Sequence, residues 1–297
     1  MAKQRLLISY AHPDDESFGL GGLIAKYVAA DTDVYLICAT NGDAGSMDDD
    51  FLKDGRTKKE VRLAELDCAT QKLNFKEVFL LDYHDSGMMG SPENDIPESL
   101  WATWHQEPET VTRKVVEVMR RVRPHVIITF NEYGGYGHPD HIAIQQATVK
   151  AMAVANDPAY ITDGLAPYQP QKLYYSGIPK LPVQLGIMLT RLKGQNPREL
   201  GRNKDIDIVA ILDNIDAPTT QIDISAHYDA WDDASACHQS QGGGGGSSLG
   251  LPKRMRRFLF PKQGFTRVFP PVKSSGIIES DLFAGVDVRE DELTPTV

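Results

Sequence analysis

Up to about residue 155 the chain alternates short apolar runs with polar segments of helical length, and nothing else in the sequence constrains its fold as tightly. Leu6 to Ala11, Val34 to Thr40, Val78 to Tyr83 and Val126 to Phe130 read as buried strands. The segments 17–30, 57–73, 109–122 and 139–155 between and after them read as helices. Strands and helices in this order call for right-handed crossovers and a mainly parallel sheet flanked by helices. In such a sheet, ligands bind beyond the carboxyl ends of the strands.

Past residue 160 the pattern weakens. Lys172 to Ser176 and Ile206 to Leu212 are expected to be further strands, and Ser225 to Gln239 a helix. We divide the chain into a catalytic core, 1–165, and a smaller C-terminal α/β appendage, 166–297, that completes the fold on the substrate side. Residues 242–248, five glycines and two serines, read as a flexible loop. The basic cluster at 253–257 follows it, and two readings stand open for this stretch: a mobile surface loop, or a lid or subunit contact.

With 297 residues, 41% of them hydrophobic, the chain can bury a sizeable core. Its net charge of −10 disfavours a nucleic-acid partner, which would need an excess of Lys and Arg, and favours a small polar molecule. The three cysteines, Cys38, Cys68 and Cys237, lack CxxC spacing; their odd, sparse count argues against a disulfide framework and for a reducing cytoplasm. The N-terminal apolar stretch is too short for a signal sequence, and no apolar run is long enough to span a membrane. The expectation is a soluble cytoplasmic protein; oligomerisation, with a homo-oligomer as one possibility, is left open.

The unusual chemistry lies in the loops after the four strands. They carry His12-Pro-Asp14-Asp15-Glu16, then Asn41-Gly-Asp43, then His84-Asp85-Ser86, then Tyr136-Gly-His138-Pro-Asp140-His141. If the topology holds, all four meet on one rim. His12 and Asp15 in one strand-to-helix corner and His141 in another are three N/O ligands of the kind that hold a catalytic zinc with one position open for water. Asp14, between two ligands but pointing elsewhere, is the candidate base for that water. His138 is the candidate acid or electrophile, with Asp140 orienting its imidazole.

Structural alternatives exist for each. A single His-Pro-Asp corner often reflects helix capping by Asp, but two such corners on one rim are hard to assign to capping. Glu16 fits a favourable charge at a helix N-terminus, and Asn41 with Asp43 fits an Asx-type turn. Arg62 can pair with Glu60 or Glu65 on a solvated face, Asp85 can bind loop backbone, and Tyr136, among glycines, can simply cover its loop or swing to a developing oxyanion. His227 and His238 lie in a helix of uncertain placement.

Taken together, AHPDDE at 11–16, NGDAG at 41–45, RLAEL at 62–66, YHDSGM at 83–88 and YGGYGHPDHI at 133–142 resemble the LmbE/PIG-L family of zinc-dependent N-deacetylases. The later KLYYSG, CHQSQ and DLFAGV look like the branch holding the mycothiol-pathway deacetylase and conjugate amidase. The resemblance implies a Rossmann-like fold and a metal, Zn2+ with Fe2+ as the other option, held by His12, Asp15 and His141. It implies Asp14 as general base, His138 as general acid or stabiliser, Asp140 as its partner and Tyr136 as oxyanion donor. Arg62 and Asp85 match sugar contacts. Asn131 and His84 depart from the usual Asp and Arg and leave the substrate open.

The expected activity is hydrolysis of an N-acetyl or other N-acyl group on an N-acetylglucosamine-type sugar or conjugate. An amidase for a mycothiol-like S-conjugate is the alternative. A phosphoesterase would call for more bridging carboxylates. A dinucleotide-binding protein would place Gly19-Leu-Gly21-Gly22 in a turn and with GxGxxG spacing. A sugar-binding protein without catalysis would not need Asp14 and His138.

Overall fold

The computed structural model describes residues 3–201, 203–243, 252–273 and 276–288. Its strands are β1 (Arg5–Tyr10), β2 (Asp33–Thr40), β3 (Glu77–Tyr83), β4 (Val126–Thr129), β5 (Lys172–Ser176), β6 (Thr220–Asp223) and β7 (Lys262–Phe269). They form one sheet in the order β3-β2-β1-β4-β5-β7-β6. The first five are parallel, and β7 runs antiparallel between β5 and β6.

The helices are α1 (Asp15–Ala29), α2 (Lys58–Lys72), α3 (Leu100–Gln106), α4 (Pro108–Val122), α5 (Gly134–Gly137), α6 (Pro139–Val154), α7 (Lys180–Leu192), α8 (Ile208–Asp213), α9 (Tyr228–Ser235) and α10 (Lys253–Leu259). The apolar runs become strands because both faces of the central sheet are covered. Every residue of β1 is buried, with Leu6, Leu7 and Ile8 at 0% exposure, and each such side chain contributes roughly 1.5–3 kcal/mol by leaving water. The chain order reverses between β1 and β4, so the loops leaving these neighbouring strands diverge and open a crevice at their carboxyl ends.

The four expected strands and four expected helices up to residue 155 are present, as is Lys172 to Ser176. Three later expectations change. The run 206–212 is not a strand: Ile206 makes an isolated bridge with Leu200, and α8 begins at Ile208 because the Asp207 carboxylate accepts from the N–H groups of Val209 and Ala210, both 2.9 Å away. The expected helix over 225–239 breaks into a short 3-10 turn, α9, and a second 3-10 turn at Gln239–Gln241, so that His238 sits on a bend. Cys68 and Cys237 form a disulfide with Cα atoms 5.8 Å apart, overturning the expectation drawn from the sparse cysteine count; Cys38 is buried and free. Spacing along the chain carries no sign of that pairing, which depends on α9 packing against α1 and α2.

Of the expected flexible loop 242–248, only Gly242 and Gly243 fall among the described residues. A Cβ on Gly243 would lie 2.1 Å from the Ser235 carbonyl oxygen, so this glycine is required by close packing. The basic cluster lies on α10, where Lys253 and Arg257 pair with Asp229, and Arg256 with Asp232. No helix among the described residues is long and apolar enough to cross a membrane.

Candidate active site

The first corner follows β1. Asp14 adopts φ 138°, ψ −27°, a region that side chains avoid and that costs of order 1–3 kcal/mol to hold. Two contacts keep it there: its N–H donates to Glu16 Oε2 at 3.0 Å, and Arg62 donates to the Pro13 carbonyl while pairing with Asp14 Oδ2 at 3.1 Å. Arg62 reaches this point because α2 is fixed by a reciprocal Thr57–Glu60 capping box. It also needs the glycines of the β2 loop, since a Cβ on Gly45 would meet its guanidinium at 2.7 Å. In the same loop Asp43 N–H donates to Asn41 Oδ1 at 3.2 Å, an Asx turn. Asp43 itself holds His84 at 2.6 Å and the backbone of Asp85 at 3.0 Å.

The second corner follows β4. Its turn, α5, needs Gly134 at φ 66°, where a Cβ would come within 2.9 Å of the His141 Cβ. His138 is the N-cap of α6, its Nδ1 accepting from Asp140 N–H at 3.2 Å, and Pro139 occupies the first turn, where no N–H is needed. His141 stacks on Phe130, with ring centres 3.9 Å apart.

The two corners meet. His141 Nδ1 lies 3.0 Å from the Gly134 carbonyl, which can only accept, so the ring proton is there and Nε2 presents a lone pair. That Nε2 is 3.0 Å from His12 Nδ1 and 3.4 Å from Asp15 Oδ1, and His12 Nδ1 is 3.4 Å from Asp15 Oδ2. On its other side His12 Nε2 faces the Asp140 carboxylate at 3.2 Å, which in turn accepts from Ser86 N–H at 2.9 Å and from the Ser86 hydroxyl. A neutral His12 therefore also turns its lone pair inward. With both rings neutral, two imidazole nitrogens and a carboxylate converge with no proton of their own between them. Donors on a tetrahedral zinc at ~2.1 Å stand about 3.4 Å apart, so the set fits that ion in both spacing and chemistry.

The charges around this trio split the two neighbouring aspartates. Burial pushes Asp14 up to about 6, Arg62 opposing and Asp15 reinforcing the rise. Burial also acts on Asp15, but His141 and His12 outweigh it and hold that carboxyl below the usual range. His12 is lifted well above 6.5: burial works against its charge, while Asp85, Asp140 and Asp15 favour it. Burial, reinforced by His12, lowers His138 to about 3; burial also lowers His141, to about 4, against the pull of Asp15. Two adjacent carboxyls thus differ in proton affinity, as a division between ligand and base requires.

Residues 7–152 match the family model described as "PIG-L: GlcNAc-PI de-N-acetylase". The chain is 36% identical over 247 residues to a 1D-myo-inositol 2-acetamido-2-deoxy-alpha-D-glucopyranoside deacetylase of Thermomonospora curvata, covering 80% of each chain. It is 33% identical to the enzyme of that name from Streptomyces griseus, over 97% of this chain and 91% of that one. The chain belongs to the PIG-L family. Its fold is shared with the N,N'-diacetylchitobiose deacetylase of Pyrococcus horikoshii, at TM-score 0.57 and 18% identity over 90% of this chain and 84% of that one. A 4-carboxy-2-hydroxymuconate hydratase from Pseudomonas putida has the same TM-score at 17% identity, covering 92% of this chain and 99% of that one. The fold alone therefore does not decide the reaction.

Within this PIG-L family chain, the expected site residues lie close together. Tyr136 presents its ring 4.8 Å from that of His141 and 5.9 Å from that of His138, and burial pushes its phenol above the usual range, so it stays protonated. Asp140, assigned from the sequence to His138, instead puts its carboxylate on His12; its nearer oxygen is 4.0 Å from His138 Nδ1. Arg62 and Asp85, assigned to sugar, are 3% and 4% exposed. Arg62 is engaged with Asp14, and Asp85 accepts from Gly87 N–H at 2.9 Å and lies 3.6 Å from His12 Nε2. Glu16 lies in the first turn of α1, as expected, and is also buried, 1% exposed and bonded to His238 at 2.8 Å. Its spacing with Leu20, Leu23 and Tyr27 puts a carboxylate on the apolar stripe of α1, a signal that it needs a buried partner. Ser86, which fixes Asp140, had no distinguishing signal in the sequence.

Proposed function

We propose that this chain is a zinc-dependent N-deacetylase acting on an N-acetylglucosamine-type sugar linked to a polar aglycone such as an inositol. The observation that carries the reading is the inward-facing trio of His12 Nδ1, His141 Nε2 and Asp15, with the outer nitrogens of both rings tied to Asp140 and Gly134. The names of the relatives, sugar–inositol deacetylases matched over most of the chain, support the substrate class. When bound by these three residues, the ion polarises the amide carbonyl and lowers the pKa of water from about 15.7 toward ~7.

The side chains divide the remaining work. Asp14, ionised above about 6, takes the proton of the attacking water. Tyr136, kept protonated, donates to the carbonyl oxygen as negative charge develops there. His138 is neutral at physiological pH, with Nδ1 occupied by the Asp140 N–H, so Nε2–H is a second donor and not a source of a free proton. The proton for the departing amine then comes back from Asp14, and sugar amine and acetate leave. Arg62 keeps Asp14 aimed and charged, and Asp140 keeps His12 in its ligating tautomer.

A cytoplasmic setting remains our reading, and there the Cys68–Cys237 pair would be open to reduction. The reaction is tested by amine release from a panel of N-acetylglucosamine conjugates of inositol, malate and S-conjugated thiol types, using protein stripped by chelator and reloaded with zinc or iron. Metal-dependent release from the inositol conjugate is the expected result. No release from any member by protein holding one tight metal would overturn the reading.

A further inference from the structure

The buried pair Glu16 and His238 is not used by the chemistry above. The two residues are 222 positions apart, 1% and 0% exposed, and joined at 2.8 Å. A carboxylate in that setting is stable only if its oxygens are supplied with donors. Glu16 Oε1 accepts from His238 Nε2 and from Ser17 Oγ, the latter at 2.5 Å, while Oε2 accepts from Asp14 N–H at 3.0 Å. That last bond falls on the residue whose backbone is held at φ 138°.

The segment carrying His238 is held in place from several directions. Cys237 is bonded to Cys68 on α2. Ser240 donates its N–H and its hydroxyl to Glu65, each at 2.7 Å. Gly243 N–H donates to the His238 carbonyl at 2.8 Å. The imidazole so delivered has one hydrogen bond among the described residues, the one to Glu16; its Nδ1 is buried without a partner. The proton must lie on Nε2, since a lone pair there would face a carboxylate.

We infer that His238 is a positioning residue for the reaction proposed above: through Glu16 it fixes the backbone of Asp14, and with it the direction of the base. The inference rests on that reading of Asp14. Without the Nε2 donor, Glu16 is a buried carboxylate short of one partner, and it turns away toward water. The acceptor that holds Asp14 N–H then leaves, and the corner relaxes toward an ordinary φ.

The test compares His238→Gln, whose amide nitrogen reaches the position of Nε2, with His238→Asn, whose amide stops near Nδ1. Both are measured as zinc-loaded protein for kcat, KM and metal content, and both are crystallised. H238N should lose tenfold or more in kcat, with KM within about threefold, a full equivalent of zinc and Asp14 moved away from φ 138°. H238Q should keep most of kcat and the Asp14 geometry. Equal kcat in the two variants, or a loss in H238N with Asp14 unmoved, overturns the inference. If wild-type protein releases no amine from any conjugate, the proposed function fails, and the Asp14 torsions in the two crystal structures decide this inference without it.

Discussion

The Asp140 carboxylate meets His12 Nε2 at 3.2 Å, joining the ends of β4 and β1 across 128 residues of chain. It sets the tautomer in which His12 can ligate, and Ser86 fixes the carboxylate from behind. Asp140→Ala should therefore weaken zinc binding by about 10–100-fold, the usual scale for losing such a partner. Competition against a chelator of known affinity measures it; unchanged affinity would remove Asp140 from this role.

Two substitutions should separate ligand from base. His141→Ala removes a donor of the trio and should leave the purified protein without a full equivalent of metal. Asp14→Ala should keep its metal and lose about 10²–10⁴-fold in kcat, the range for a general base. Metal analysis beside amine release checks both, and full activity in D14A would overturn the base assignment.

The acid side of the pH–rate profile should follow Asp14. The carboxylate must be ionised to accept a proton, so kcat/KM should fall as pH drops through its pKa. That value is about 6 in the protein without metal, and the added positive charge of zinc can only lower it. Arg62 acts in the same direction, so Arg62→Met should move the acid limb to higher pH. A limb that stays in place in R62M would mean that another group controls it.

Metal and protons compete for His12. Its pKa is raised well above 6.5, burial being outweighed by the surrounding carboxylates, so the ring holds a proton over a wider range than a free imidazole. Zinc must displace that proton, and affinity should increase with pH until His12 titrates. Calorimetric titration in two buffers of different ionisation enthalpy should show proton release on binding. Equal heats in both would rule the competition out.

The Cys68–Cys237 bond ties α2 to the segment after α9 across 169 residues. Alkylation of denatured, unreduced protein should label one cysteine, Cys38, and all three after reduction. Reduction should lower stability by about 2–4 kcal/mol, seen as a drop in thermal midpoint that Cys68→Ala protein no longer shows. Three labelled thiols before reduction would refute the bond.

The parallel half of the fold was legible because a strand buried on both faces reads as a nearly continuous apolar run, as Leu6 to Ile8 and Val126 to Ile128 do. The two His-Pro-Asp corners were legible because strand ends locate a site before any side chain is seen. Later elements were not. β7 is only partly buried and antiparallel, so it lacks the continuous apolar run that marked β1. Ile206 to Leu212 is apolar enough for a strand, and only the side chain of Asp207, capping the next turn, makes it a helix. Asp140 went to His138 because the two are neighbours in sequence, whereas the contact it makes crosses the crevice. The partner of Glu16 lies 222 residues away, beyond the reach of any local pattern.

That separation also sets an order of events during synthesis. His12, Asp14, Asp15 and Glu16 leave the ribosome early, His141 completes the metal trio, and His238 follows Glu16 by roughly 11–44 s at elongation rates of about 5–20 residues per second. On the inference drawn above, a chain that stops before His238 lacks the residue that aims its base. Catalytic competence is thereby deferred to the last fifth of the polypeptide.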